Sequence, residues 1–206
     1  MYDFKAGARR SPCLFFSEGD LADLREKLNH PDCAPTWGRL LTACEGRLQP
    51  DPPEVCRRHI RAPHLAFAHL ITGQERFAEG ARDLALDVVR QEHFQAPAKT
   101  CRSGLATGGC TRKIALTYDW LYEYFDEDER EEIRQAVAEK AFKPVLHDIR
   151  RQRPPSEWYT CNGMCVISAP VLMAALLFEP EMDTGPVYEA SLRQIRKAIA
   201  AHCSDG

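Results

Sequence analysis

The sequence predicts an all-α fold built from serial helical hairpins. Apolar residues recur at a period near 3.6 in one segment after another, as amphipathic helices require. Proline and glycine breakers divide these segments into pairs of roughly 40 to 50 residues, which is the spacing of stacked hairpins in solenoids and closed toroids. No stretch shows the alternating polarity of a strand.

The first half of the chain contains two predicted hairpins. Ser17 and Asp20 fit a capping box at the start of the first helix. The third helix is bent or restarted at Pro63 and stopped by Gly73, because proline lacks the amide that the helix needs and glycine favours the helix end. The four predicted helices cover residues 17–28, 35–48, 54–71 and 74–90.

The second half contains four more predicted helices. Most are amphipathic, but the segment from Thr160 to Phe178 is apolar nearly all round. A helix of this kind is expected in an inner layer, shielded by amphipathic partners. The pattern therefore favours two concentric layers over a simple bundle. The predicted helices cover residues 106–125, 126–142, 160–178 and 186–203.

Size and charge exclude some function classes. A chain of 206 residues has room for one sizeable core, so we expect a single domain over residues 1–206 with residues 1–11 as a flexible lead-in. The formal charge of −3 gives no overall attraction to nucleic acid or to an anionic membrane. No apolar run reaches the roughly 18 residues that span a bilayer.

The cysteines indicate a reducing compartment. There are nine, an odd number, and they are scattered rather than spaced as a disulfide framework. Residues 1–10 contain no apolar signal-peptide core, so we expect a cytoplasmic protein; removal of a signal would instead allow a periplasmic or secreted one. We expect four of the thiols to be small buried hydrophobes: Cys44, Cys110, Cys165 and Cys203.

Metal and cofactor chemistry find no support in the sequence. His59, His64 and His69 recur every five residues, which places successive rings about 140° apart around a helix and not on one face. Cys161 and Cys165 lack a second pair with metal-ligand spacing. No glycine-rich phosphate loop and no nucleophile elbow is present. We expect no metal and no cofactor.

One polar segment stands at the entry to the apolar helix. It runs from Ser156 to Gly163 and contains Asn162, whose amide carries two donors and an acceptor. Such a group, placed where water is scarce, is either satisfied by the fold or kept for a ligand.

Basic residues lie just before the aromatic residues of this segment. Arg150 and Arg153 stand near Trp158 and Tyr159. A guanidinium binds a carboxylate or sulfate with two hydrogen bonds, while an aromatic face stacks on a sugar ring. The group therefore predicts binding of an acidic sugar; the alternative is a solvated helix face. Trp120 is a further candidate for lining a sugar cleft, although aromatics at such positions often lock helix pairs together.

Four parts of the chain match a known family in order and spacing: Pro12–Ser17 with Asp20–Leu21, Leu65–Gly73 with Glu75–Ala78, Ile114–Tyr122, and Trp158–Gly163. Through them the chain resembles the N-terminal region of heparinase II/III-like and alginate-lyase-like polysaccharide lyases. The resemblance covers about residues 12 to 206. It implies part of an incomplete α/α toroid of helical hairpins.

The resemblance also implies a reaction, the β-elimination of a uronate-containing polymer. In the family the proton at C5 of the uronate is removed and the oxygen at C4 is expelled. An asparagine neutralises the carboxylate and stabilises the developing enolate, and Asn162 is the position that matches it. A tyrosine or histidine serves as base and acid.

This sequence departs from the family pattern in two ways. The histidine common beside the asparagine is replaced by Trp158, Tyr159, Thr160 and Cys161. The family's tyrosine base and its β-sandwich domain follow later in the chain, so we expect the full protein to supply them and these 206 residues alone to be inactive. Two alternatives remain open: a carbohydrate-binding module without chemistry, and a helical-repeat module that binds another protein.

Overall fold

The structure is a computed structural model, and it describes residues 12–152 and 162–202. It confirms the all-α prediction, with 74% helix and, within those residues, no strand. The predicted lead-in over residues 1–11 lies outside the described part. The α-helices are α1 (Leu21–Leu28), α2 (Ala34–Arg47), α3 (Glu54–His59), α4 (Ala62–Thr72), α5 (Glu75–Val89), α6 (Leu105–Trp120), α7 (Glu127–Val137), α8 (Lys143–Arg150), α9 (Asn162–Phe178) and α10 (Gly185–His202).

The chain divides into two compact units. Unit 1 contains Met1–Asp87 and Leu116–Asp126, and unit 2 contains Val88–Ala115 and Glu127–Gly206. The boundaries fall near the end of α5 and inside α6. A single toroid domain over the whole chain stays a prediction.

In unit 1, α1 and α2 pack against α4, α3 packs against α2, and Gly80 of α5 lies beside Leu65 of α4. Its core contains fully buried side chains of mixed size, among them Cys44, Leu65, Phe77, Tyr118 and Phe125. Arg25 of α1 donates hydrogen bonds to the carbonyl oxygens of Leu70 and Ile71 at the end of α4. These carbonyls have no partner within the helix, so the arginine both caps α4 and attaches α1 to it.

Several predicted helix ends of unit 1 are confirmed. The Asp20 carboxylate accepts hydrogen bonds from the Ser17 backbone N–H and hydroxyl, at 2.8 and 2.7 Å, in front of α1. Gly73 ends α4 in the left-handed conformation with φ of 71°. Of the two possibilities predicted at Pro63, a bend or a restart, the structure has the restart: Arg61 is extended, and Pro63 lies in the first turn of α4. The proline ring would collide with the carbonyl four residues earlier, so the chain leaves the helix before it.

Unit 2 has a helical segment longer than predicted. The helix expected to end near Phe142 continues through a π turn over Ala138–Phe142 into α8. Pro144 does not break the segment, because it occupies the first turn of α8, where a missing amide costs little. Inside the π turn, Lys140 donates to the carbonyl oxygens of Val89 and Gln91, both at 2.7 Å. The lysine thereby caps the end of α5.

Helix α9 packs against α10 and against α6. At the crossing with α6, Gly108 lies so close to the α9 backbone that a Cβ atom there would overlap the carbonyl oxygen of Val166. Four apolar residues of α9 are exposed: Cys165, Val166, Ala169 and Leu176. The prediction of a fully shielded inner helix is therefore wrong for the described residues, and so is the prediction that Cys165 is buried.

Arg134 holds a cluster of charges within unit 2. Its guanidinium contacts Glu127 and Glu131 on its own helix, at 2.6 and 2.9 Å, and Glu181 in the turn after α9, at 2.5 Å.

Over the same described residues, no helix has the length and apolar character needed to cross a bilayer.

Candidate functional site

The candidate site begins with a buried aspartate on α8. Asp148 is 1% exposed and accepts hydrogen bonds from the backbone N–H groups of Arg102 and Ser103 and from the Ser103 hydroxyl, at 2.7–3.0 Å. Carboxylate acceptors make the stronger class of hydrogen bond. The last turn of α8 is thus held to the segment before α6.

The first turns of α9 lie beside this anchor. Met164, Ile167 and Ser168 share a cavity of about 10 Å³ with Asp148 and Ile149. A cavity of this size holds at most one water molecule. Asn162 is the first residue of α9, two positions before Met164 of this cavity; its side chain lies outside the described part.

A surface groove of about 470 Å³ opens at the end of α8 and the start of α10. That volume falls in the range of small-ligand sites. One set of lining side chains is apolar, and the other is polar and exposed. The apolar residues are Leu146, Ile149, Pro186 and Ala190, and the polar residues are Arg150, Gln152, Glu189 and Arg193.

The polar side chains of the groove are available for a ligand. Within residues 12–152 and 162–202, none of the four makes an ion pair or a side-chain hydrogen bond. Two guanidinium groups and one carboxylate give the lining one net positive charge. Arginine forks match carboxylates and sulfates in geometry as well as charge. The groove is therefore suited to an acidic ligand.

Gln152 has a strained backbone at the edge of this groove. Its φ is 51°, in the left-handed region that disfavours residues with a Cβ atom. It follows α8 at a position where glycine is the usual residue. Strain of this kind is often retained at functional sites.

The structure brings together only part of the predicted site. Arg150 lines the groove, and Asn162 begins the neighbouring helix. Arg153, Trp158 and Tyr159 lie outside the described residues, and Cys161 does too. Their roles stay predictions.

Trp120 lies in unit 1, within an aromatic cluster. Its ring stacks on Phe16, with centroids 5.3 Å apart, and contacts Phe67 at 5.9 Å. The indole N–H donates to the carbonyl oxygen of Leu14 at 3.3 Å. Trp37 joins the cluster through Phe67. The contacts hold the segment before α1 against α6, which is the helix-locking role considered for this residue; sugar binding by Trp120 stays a prediction.

The sequence alone does not identify three of the four polar groove residues. In the sequence, Gln152 belongs to a breaker, and Glu189 and Arg193 belong to the solvated face of an amphipathic helix. A signal is present in the spacing of Glu189 and Arg193, which are four residues apart and therefore on one helical face. The sequence does not show that the end of α8 lies beside that face.

Two reactive groups outside the groove, the Cys44 thiol and the Tyr124 hydroxyl, have pKa values above their usual range. Burial raises the pKa of the Cys44 thiol to about 12, with the nearby Cys56 adding to the shift, so this thiol is a poor nucleophile at neutral pH. Burial, together with Glu75 and Glu79, raises the pKa of Tyr124, whose ring meets His69 edge-on. A raised pKa makes a tyrosine a weaker candidate base near neutrality.

The histidines considered as metal ligands serve the helix ends instead. His64 Nδ1 accepts the Arg61 backbone N–H at 2.9 Å, and His69 Nδ1 bonds to the Gln74 carbonyl oxygen at 3.1 Å. Among all described residues, no group of three or more His, Cys, Asp or Glu side chains is arranged to hold a metal ion.

Comparison with models of protein families gave no match to this chain, and comparison with curated proteins gave none either.

Proposed function

We propose that this protein acts on uronate-containing polysaccharide as a β-eliminating lyase, and that the groove of unit 2 binds the carboxylated sugar. The observation that carries the binding part of the proposal is the pair Arg150 and Arg193, and the reaction rests on the family resemblance. Both arginines line one open groove, and neither is engaged by another described residue. The proposal includes pairing of the helices into part of an α/α toroid, which rests on the spacing of the hairpins and on the family resemblance.

The chemistry suits an amide at the start of α9. A base, a tyrosine or histidine in the family, takes the C5 proton. The electron pair of the broken C–H bond forms the C4–C5 double bond as the C4–O bond breaks, and the leaving oxygen takes up a proton from the acid. While the neighbouring carboxylate is ionised, the C5 proton is barely acidic, so a hydrogen-bond donor to that carboxylate lowers the barrier. Asn162 is the residue proposed for this donor.

The arrangement of the residues supports a division of labour. Arg150 and Arg193 bind the sugar anion in the groove, where a fork of donors orients the carboxylate. Asn162 begins α9, two positions before Met164, which shares a cavity with Asp148 and Ile149 of α8. Orientation matters because a displacement of about 1 Å can cost a hundredfold in rate.

Binding and turnover are tested separately. Isothermal calorimetry with alginate, heparin and chondroitin oligosaccharides measures binding, and ultraviolet absorbance of the new double bond measures turnover. We expect Arg150→Ala and Arg193→Ala each to weaken binding about tenfold, the loss of one charged contact. Arg196→Ala is the matched control, because Arg196 is exposed on α10 and does not line the groove. No binding of any of the three oligosaccharides would overturn the proposal.

The same experiment decides between the lyase and a binding module without chemistry. The charged groove favours that second candidate as much as the first, since it argues for binding alone. Turnover is measured on a version extended beyond residue 206, which is expected to supply the tyrosine base. In that protein we expect Asn162→Ala to abolish product while the affinity changes less than about threefold. Binding without product in the extended protein, insensitive to Asn162→Ala, would favour the module.

A further inference from the structure

The groove carries one charge of the opposite sign, and its position is specific. Glu189 and Arg193 are four residues apart on α10, so they lie on one face with about 6 Å between them along the helix axis. Glutamate and arginine at this spacing commonly pair. Here they form no ion pair, and both line the groove.

A ligand anion held by Arg193 therefore meets the carboxylate of Glu189 nearby. The axial separation of the two positions, about 6 Å, is within the screening length of about 8 Å at physiological salt, so a carboxylate at position 189 still repels an anion bound to Arg193. A single carboxylate can turn toward the arginines and away from Glu189. A sugar that carries further anionic groups has no such orientation, because one of its groups must approach the glutamate.

We propose that Glu189 makes the groove selective for polyuronates without sulfate over sulfated glycosaminoglycans. The inference rests on the proposed function, and it names the substrate class of the same groove. A polyuronate such as alginate carries one carboxylate on each sugar, which matches the single net positive charge of the lining. Heparin adds several sulfates to each disaccharide. Placing a like charge against the wrong ligand is a general route to specificity.

Gln152 fits the same ligand class. Its amide lies on the groove and offers donors and an acceptor without charge. Such a group suits the hydroxyls of an unsulfated sugar, which both donate and accept. A lining built for dense sulfate would place a further cation at this edge. The left-handed backbone of Gln152 fixes where the amide begins.

The test compares two ligands across two charge variants of the full chain. Calorimetry at fixed salt measures the affinities for alginate and heparin oligosaccharides of equal length. Glu189→Gln removes the carboxylate from the groove, and Glu179→Gln removes the same charge outside it, from an exposed residue that no described residue engages. We expect the wild-type protein to bind alginate more tightly, and Glu189→Gln to raise the heparin affinity about tenfold with alginate changed less than about threefold. Glu179→Gln should change neither.

Failure of the inference and failure of the proposed function give different results. If both oligosaccharides bind and depend on Arg150, but Glu189→Gln alters heparin affinity no more than Glu179→Gln does, the selectivity role is wrong and the groove stands. Tighter wild-type binding of heparin than of alginate would also contradict the selectivity role. If neither oligosaccharide binds, both proposals are overturned.

Discussion

Units 1 and 2 use the same device with opposite consequences for function. In unit 1, Asp119 is fully buried and accepts the backbone N–H groups of Cys13 and Leu14 at 2.8–3.1 Å. In unit 2, Asp148 does the same for Arg102 and Ser103. Each aspartate sits on a helix and holds a segment that is distant in sequence.

The surroundings of the two anchors differ. Beside Asp119, the indole N–H of Trp120 is bonded to the backbone and its ring is packed. Two residues after Asp148, Arg150 projects into the groove, and no described residue engages it. Each region also contains one strained residue, Phe15 with φ of 70° and Gln152 with φ of 51°. A shared anchor therefore does not imply a shared role: next to Asp119 the Trp120 indole is bonded within the fold, whereas near Asp148 the Arg150 side chain lines the groove without a partner among the described residues.

The largest expected effect comes from removing the anchors. Asp119→Ala and Asp148→Ala each leave two backbone donors without their acceptor, and we expect each to cost about 3 kcal/mol of unfolding free energy. Chemical denaturation measures the loss. The control Asp87→Ala, at an exposed position on α5, should stay within about 0.5 kcal/mol of the wild type.

The two anchor variants are expected to differ in their affinity for alginate. Under conditions where both variants are folded, Asp148→Ala should weaken alginate binding, because the end of α8 that carries Arg150 loses its attachment. Asp119→Ala should leave binding unchanged. Equal losses of affinity in both variants would contradict the distinction between the two units.

The next effect concerns glycines at close contacts. A Cβ atom at Gly108 in unit 2 would overlap the backbone of α9, whereas one at Gly80 in unit 1 would overlap only the end of the Leu48 side chain. Backbone cannot move aside as a side chain can, so we expect Gly108→Ala to cost about 2–3 kcal/mol and Gly80→Ala about 1 kcal/mol.

Gly109 provides the matched control for this prediction. It adjoins Gly108 in α6, and a Cβ atom there would meet nothing within 4 Å. Gly109→Ala should gain up to about 1 kcal/mol, because alanine favours the helix. Thermal and denaturant unfolding rank the three variants, and a Gly108→Ala protein as stable as the Gly109→Ala protein would show that α6 and α9 are not in close contact.

The sequence predicts the helices better than it predicts the contacts between them. Periodicity locates the amphipathic helices, and Gly73 and Asp20 give correct ends because capping is a local interaction. The continuation into α8 escapes prediction, since Pro144 resembles a break unless the π turn before it is known. The exposed residues of α9 escape it for a related reason: hydrophobicity shows that a helix can be buried, not which neighbours cover it.

The functional site shows the same limit. Arg150 is recognisable as a binding candidate from its basic neighbours. Its partner Arg193 is not, because 43 residues separate the two and only the fold brings them to one groove. Asp119 carries a weak local signal, a charged residue among apolar and aromatic ones, whereas Asp148 has His147 and Arg150 nearby and carries none. Their partners lie 105 and 45 residues away for Leu14 and Ser103, which no local pattern encodes.

A smaller effect comes from relieving the strained residues. Phe15→Gly and Gln152→Gly should each raise the unfolding free energy by about 0.5–1 kcal/mol, since glycine adopts positive φ without the Cβ collision. Phe15 is 80% exposed, so little packing is lost with its ring. Denaturant unfolding measures the gain.

The variants at Gln152 and Phe15 are also expected to differ in their affinity for alginate. Gln152→Gly should weaken alginate binding, because the groove loses its amide, whereas Phe15→Gly should leave it unchanged. Gln152→Ala is a further control: it removes the amide but keeps the strain, so it should weaken binding without raising stability. Unchanged affinity in both Gln152 variants would remove this residue from the proposed site.

The smallest expected effect is on the loss of stability in acid. The two units differ in the kind of hydrogen-bond donor that lowers the pKa of a carboxyl group. In unit 1, hydrogen bonds from the Ser17 side chain and backbone lower the pKa of Asp20. In unit 2, hydrogen bonds and charge from Arg134 lower the pKa of Glu127. A carboxyl whose pKa is lower in the folded state stabilises the fold above its unfolded pKa, and that stability is lost as the pH falls through the folded value.

Salt should separate the two contributions. The guanidinium acts partly through charge, which salt screens, whereas the serine donors are neutral. Arg134→Gln should therefore flatten the loss of thermal stability below about pH 4.5 at low salt and change it less at high salt. Ser17→Ala should flatten it equally at both. Both carboxyls are exposed, so each effect is small. A salt response that is the same in both variants would mean that neutral hydrogen bonds, rather than the arginine's charge, set the acid sensitivity of unit 2 as they do that of unit 1.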